Sequence, residues 1–377
     1  MTTKNILLLI TPSSPGRLKG ISVYARSHNW HLTVSDRLTH MLDGWDGDGA
    51  LVTLRDDEGM LRQVRDLRRK RIPVVDLSFT RPDIHLPRVA SDNVAIGRLA
   101  AAHFADKRFR HTAWFSTGWG HQHELRFNSF AAALAETPHR WAWALDPERT
   151  KADDWHSLSR WLENRIADAP KPLGIFCFDD ADASRAESVA LSVGCSIPDD
   201  VAILGAGDDE PICESQIVPV ASVQNNMTRN GYAGAALLDR LMSGGRAPRR
   251  PLLIPPRGIA ERRSTDTLAA PHGLVRDARD IYMAELAHPP TTRALAERLG
   301  ISRPTLDRAF ASEIGISPAR FLARLRLDEA KRLLRASALP ATDIARQLGY
   351  CNSAYFSNLF RETFGLSPRE WRRQRAR

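Results

Sequence analysis

Only four cysteines occur in the 377 residues, Cys177, Cys195, Cys213 and Cys351, and no two are spaced as C-x-x-C. No histidine cluster accompanies them, so they read as reduced and structural rather than as a disulfide framework or metal site. No run reaches the roughly 18 apolar residues that span a bilayer, so no membrane partner is expected. Met1–Ile10 lacks the long apolar stretch and small-residue cleavage site of a signal peptide. A cytoplasmic chain opening on a buried strand is therefore expected. There is no G-x-S-x-G, H-E-x-x-H or phosphate-binding loop, so neither catalysis nor a cofactor is expected. His121, His123 and Glu124 are spaced too closely, on a stretch read as a loop, to suggest a metal site. No segment is of low complexity.

What is present is charge, unevenly placed. The net charge is +9, and residues 272–377 alone hold 19 Lys+Arg against 11 Asp+Glu. The remainder is nearly neutral. A basic C-terminal quarter beside a neutral region is the electrostatic footprint of a nucleic-acid module attached to another domain.

The first 265 residues alternate apolar runs with helical patterns. Ile6–Ile10, Gly49–Val52, Pro73–Leu77, Thr112–Phe115, Gly174–Phe178 and Val201–Gly205 read as buried strands. Between them Arg17–His28, Met60–Lys70, Ala95–Asp106, Ser129–Glu136, Trp155–Ala167, Ala181–Val193 and Arg229–Met242 read as helices. Such alternation predicts parallel α/β sheets, and the length predicts two lobes. A small polar stretch ending in proline, Ser264–Pro271, marks a linker over 266–273 between domains 1–265 and 274–377.

Beyond the linker only short amphipathic helices follow, and a pattern repeats. Thr292–Gly300, capped by Thr291 or Thr292, is followed by Arg303–Glu313, capped by Ser302. The stretch Ala341–Phe364 repeats it, with Gly349 as the break, Asn352 or Ser353 as the cap, and Tyr355, Phe356, Leu359 and Phe360 turned inward. Each is a helix, a glycine turn and a helix. Ser317–Ala336 joins them as one long helix, with Arg324, Arg326, Lys331, Arg332 and Arg335 on its exposed side. At 1.5 Å per residue it is about 30 Å long, close to the roughly 34–36 Å repeat of the major groove along one face of DNA. An all-α double helix-turn-helix domain is the expectation.

Asp343–Arg372, "DIARQLGYCNSAYFSNLFRETFGLSPREWR", resembles the AraC-type DNA-binding domain in its Ile-Ala, Gly-Tyr, Phe-x-x-x-Phe, Gly-x-Ser-Pro and aromatic-Arg elements. That resemblance implies two recognition helices. Arg303, Thr305, Asp307 and Arg308 face outward on the first, where Pro304 costs no hydrogen bond. Asn352, Ser353, Ser357 and Asn358 face outward on the second, and Arg361 contacts the backbone. Arginine grips guanine and asparagine grips adenine through paired hydrogen bonds, while serine reaches phosphate or sugar. Asp307 either accepts from cytosine or orients Arg308.

In the first domain, "ASDNVAIGRLAAAHFADKRFRHTAWF" (Ala90–Phe115), "PDDVAILGAGDDE" (Pro198–Glu210) and "VPVASVQNNMTRNGYAGAALLDRLM" (Val218–Met242) resemble the ligand-binding region of LacI/GalR-type regulators, related to periplasmic sugar-binding proteins. By that resemblance Asp92, Arg126, Asp179, Asp208 and Gln224 bind sugar, Arg126 donating and the acids accepting. Trp119 either stacks on a sugar face or packs in the core. The sequence departs from that family by opening on a strand instead of a DNA reader and hinge.

The order of sensor then reader resembles the xylose operon regulators. This implies a small-molecule effector, D-xylose first among monosaccharides, operator DNA, a homodimer, and RNA polymerase if the protein is an activator. A carbohydrate-active enzyme joined to a DNA-binding module stays open on the carboxylate pairs alone, as does a regulator of a non-sugar ligand.

Overall fold

The computed structural model describes residues 3–10, 15–34, 44–137, 140–144, 154–267 and 273–373. The chain separates into two compact units, Met1–Thr265 and Asp266–Arg377. Residues 268–272 of the expected linker lie outside the described residues.

The first unit contains strands β1 (Lys4–Leu9), β2 (Trp30–Val34), β3 (Gly49–Val52), β4 (Val74–Asp76), β5 (Val89–Ser91), β6 (His111–Phe115), β7 (Arg140–Ala144), β8 (Leu173–Cys177), β9 (Val201–Ala206), β10 (Ala221–Val223), β11 (Leu252–Ile254) and β12 (Ile259–Ala260). Its helices are α1 (Pro15–Ser27), α2 (Glu58–Arg69), α3 (Asn93–Asp106), α4 (His121–Ala135), α5 (Trp155–Asp168), α6 (Asp180–Ser192), α7 (Glu210–Glu214) and α8 (Met227–Met242). One parallel sheet runs β2-β1-β3-β4, and a bridge from Asp76 to Arg88 carries it towards the β5–β11 pair. The other runs β12-β10-β9-β8-β6-β7, antiparallel only at β12. The chain passes between the sheets after β5, returns after β10, and passes again after β11. Two lobes result, each with its strands' carboxyl ends towards the other.

Period-two burial sets the layers. Ile6, Leu8 and Ile10 face one side of the first sheet, with α1 and α8, whereas Leu7 and Leu9 face α2. In the second lobe Ala113, Phe115, Ile175 and Cys177 pack under α5 and α6. On the opposite face Trp114 and Phe176 join Phe130 in an aromatic layer.

Three readings of the sequence need correction here. Helix α4 begins at His121, so the stretch read as a loop is its first turn. Tyr355 is 61% exposed, not turned inward. Most of the basic residues assigned to the outside of the connecting helix are committed inside the second unit, as follows.

That unit contains α9 (Leu274–Ala284), α10 (Thr292–Arg298), α11 (Arg303–Glu313), α12 (Pro318–Ala336), α13 (Ala341–Gln347), α14 (Ser353–Phe364) and α15 (Pro368–Arg373). Thr291, Ser302, Ser317 and Asn352 cap α10, α11, α12 and α14. The helix α12 serves two cores. Phe321 and Leu325 pack with Leu295, Leu306 and Phe310, while Leu327, Ala330 and Leu334 pack with Ile344, Phe356 and Phe360.

Its cations tie the cores together. Arg326 donates to the carbonyls of Leu286 and Ala287 at 2.9 and 3.3 Å and lies over the Tyr350 ring. Lys331 is buried over Phe364 and Trp371, and Arg324 pairs with Asp328. Arg332 alone of the five remains exposed among the described side chains; that of Arg335 lies outside them. Aromatic faces and carbonyl oxygens hold cations that sequence pattern assigns to water. The turn at Gly349 belongs to the same seam. Its φ is +76°, and a Cβ there would stand 2.1 Å from the Ala287 carbonyl oxygen, so only glycine fits.

Candidate functional site

The cleft between the lobes holds a cavity of about 390 Å³. Arg17, Thr53 and Ser78 line it from the first lobe, and Arg126, Asp179 and Asn225 from the second and the crossover. Arg126 projects from α4 and is 4% exposed. Its Nε and one Nη donate to Asn93 Oδ1 at 3.2 and 2.7 Å, another Nη donates to the Phe178 carbonyl, and the Phe178 ring lies 4.4 Å beneath the guanidinium. Burial lowers its pKa to about 10, against the pull of Asp179 and Asp180. Asp179 lies two residues after the end of β8 and caps α6, accepting from Asp182 N at 2.8 Å. That leaves its second carboxylate oxygen for a ligand.

The other residues singled out by sequence are placed apart from these. Asp92 caps α3, accepting from Ala95 N at 2.9 Å, and only its neighbour Ser91 lines the cavity. Asp208, at φ +57°, accepts from Arg262 and from Gln224 at 2.9 and 2.7 Å. Asp208 and Gln224 line a second cavity of about 350 Å³, which shares Gly207, Asp209, Asn225 and Met227 with the first. Trp119 packs on Phe127 and His123 and hydrogen-bonds Glu124. His123 stacks on Phe178 at 3.6 Å, and burial, then Arg126, pushes its pKa down to about 4, so it is neutral.

Sequence reasoning missed Arg17 and Asn225, whereas Asp180 belongs with Asp179 to a carboxylate pair that the sequence places just after an apolar strand. Asp180 lines the same cavity, its carboxylate accepting from the Ser222 hydroxyl and from Asp209 N; burial lifts its pKa to about 6. Arg17 lies in an amphipathic stretch like any surface arginine, and no local signal distinguishes it.

In the second unit the expected recognition residues fall on the exposed faces of α11 and α14. Arg303, Arg308, Asn352, Ser353, Asn358 and Arg361 are exposed, and Thr305, Asp307 and Ser357 half-buried. Asp307 pairs with Arg303 at 3.6 Å and not with Arg308, which donates to the Pro304 carbonyl. The i, i+4 spacing favours that pair over a neighbour one residue along. Thr305 Oγ1 is bonded to Ser302, and Ser357 donates to the Ser353 carbonyl. Asn352 Oδ1 is occupied by the cap, accepting from Ala354 N and Tyr355 N, which leaves its amide hydrogens. Arg361 stands 3.8 Å from Glu370. Tyr355, exposed beside Asn352, is a further outward group.

Residues 101–265 match a periplasmic binding protein-like domain and residues 295–374 a helix-turn-helix domain. The xylose operon regulatory protein of Escherichia coli K12 is 24% identical over 94% of this chain and 92% of its own. The transcriptional activator RhaS of E. coli is 45% identical over 82 residues, 22% of this chain and 30% of its own. The solved structure of the xylose-binding transcription activator XylR superposes with a TM-score of 0.65 at 22% identity, over 99% of this chain and 98% of that one. The chain thus joins a periplasmic binding protein-like α/β domain to a helix-turn-helix domain and is similar over nearly its whole length to XylR; the proteins it resembles are transcription regulators, not enzymes.

Proposed function

We propose that this regulator binds a small polyhydroxylated effector between the lobes of its first unit and alters sequence-specific binding of operator DNA by its second. The carrying observation is the cleft cavity, lined by Arg126 and Asp179 from one lobe and by Ser78 and Thr53 from the other. A ligand that touches both lobes favours their closed arrangement by its differential affinity. D-xylose is the first monosaccharide to test, because the full-length relative is named for the xylose operon. A homodimer would present both recognition-helix pairs to paired half-sites, and contact with RNA polymerase would follow if regulation is positive.

The reader role is tested by selecting duplexes from a random pool with the full chain. Arg308→Ala is expected to weaken binding to the selected duplex by about 1–3 kcal/mol and to relax one base position. An equal loss on random DNA would make Arg308 a phosphate contact instead.

A further inference from the structure

Arg17 and Arg126 enter one cavity from opposite lobes, 8% and 4% exposed. Each spends its donors on neutral partners. Arg17 Nε donates to Asn230 Oδ1 at 2.9 Å and one Nη to the Met227 sulfur, a weak acceptor, at 3.5 Å. Its other Nη has no partner among the described residues. Arg126 is held by Asn93 and the Phe178 carbonyl. Among the described residues no carboxylate stands within ion-pair distance of either guanidinium, although burial weakens both and lowers each pKa to about 10.

Asp179 and Asp180 act on Arg126, and Asp76 on Arg17, from beyond ion-pair distance, while making their hydrogen bonds to other groups. Asp76 holds Arg88, Asp179 caps α6, and Asp180 accepts from Ser222 and Asp209. Asp208 is paired with Arg262. A third arginine, Arg55, is exposed on the same cavity. Asn225 is 4% exposed, and its Oδ1 lacks any partner among the described residues. The cavity thus offers two buried guanidiniums, neither in an ion pair among the described residues, and one acceptor wanting a hydroxyl.

Buried charge is costly until an opposite charge meets it, and a guanidinium fork matches a carboxylate or phosphate better than it matches a hydroxyl. We infer that the effector is anionic, a monosaccharide carrying a carboxylate or phosphate that Arg17 and Arg126 grip from the two lobes while a ligand hydroxyl donates to Asn225. Because both lobes contribute a cation, the anion would also be what draws them together. The inference rests on the reading of this cleft as the effector site.

The test is calorimetric titration of the full chain with D-xylose, D-xylonate, D-glucuronate, D-ribose 5-phosphate and inorganic phosphate, repeated with Arg17→Gln and Arg17→Lys. The unliganded melting temperature of each variant reports whether it is folded. A sugar carboxylate or sugar phosphate is expected to bind at least about tenfold more tightly than any neutral sugar, with Arg17→Gln weakening it about tenfold to a hundredfold. The lysine variant should recover part of that loss. Which acid binds separates carboxylate from phosphate, and binding of inorganic phosphate alone to the same extent would reduce the site to an adventitious anion site and overturn the proposal. Tight binding of D-xylose with none of the acids would also overturn it, leaving the effector cleft intact. Binding of no sugar or acid would remove the effector reading itself.

Discussion

Phe360→Ala is expected to abolish sequence-specific DNA binding by melting the second helix-turn-helix at a cost of about 3–5 kcal/mol. Phe360 is fully buried and touches the rings of Phe356, Phe364 and Trp371. It sits where α14, α15 and the second half of α12 converge. That core is small, so a cavity there has few neighbours able to collapse into it. The loss should spread along the seam, because Lys331 lies over Phe364 and Trp371. Thermal melting followed by circular dichroism, with DNA binding read on the same sample, checks this. Unchanged melting and unchanged DNA affinity would mean that the second core does not hold the reader together.

A comparable loss is expected in the first unit for Asp76→Ala. Asp76 is fully buried at the end of β4 and accepts from Arg88 Nε at 2.8 Å, from Leu54 N and from both the amide and hydroxyl of Ser78. Burial raises its pKa while Arg88 opposes the rise. Alanine would leave the Arg88 cation, 6% exposed, without its carboxylate. Removing one member of a buried pair costs about 3–5 kcal/mol, mostly from the charge left behind. Replacing both, as Asp76→Ala with Arg88→Met, should recover part of the loss. Melting of the single and double variants decides it. A single variant as stable as the parent would mean that water or a neighbour compensates Arg88. Because Ser78 lines the cleft cavity and is held by Asp76, the single variant should also lose affinity for the proposed effector.

The long buried strands were legible because four to six consecutive apolar residues admit few alternatives, and Gly49–Val52 falls where the pattern puts it. The strands Val89–Ser91, Ala221–Val223, Leu252–Ile254 and Ile259–Ala260 were not. They span two or three residues each, too short for any periodicity, and their pairing is imposed by the crossovers. The start of α4 was hidden for another reason: His121, Gln122, His123 and Glu124 carry no apolar stripe, and Gly120 offers no capping side chain. Helices α11 and α14 were legible nearly to the residue because capping residues and glycine turns bracket them, as Ser302 does α11. What local pattern could not supply is commitment. Lys331 and Arg326 look solvated in sequence, and only the fold supplies the rings and carbonyls that hold them. The same holds in the cleft. Asp179 could be singled out after an apolar strand and Arg126 through the family resemblance, whereas Arg17 joins the candidate site only when α1 meets α8.

The most direct measurement is fluorescence anisotropy of the full chain on a selected duplex, with and without a saturating concentration of the small molecule that most raises its melting temperature. The expected result is a change in DNA affinity of about 5–150-fold, the range of an ordinary coupling free energy. The same affinity with and without the bound ligand would contradict the central claim that the cleft governs the reader.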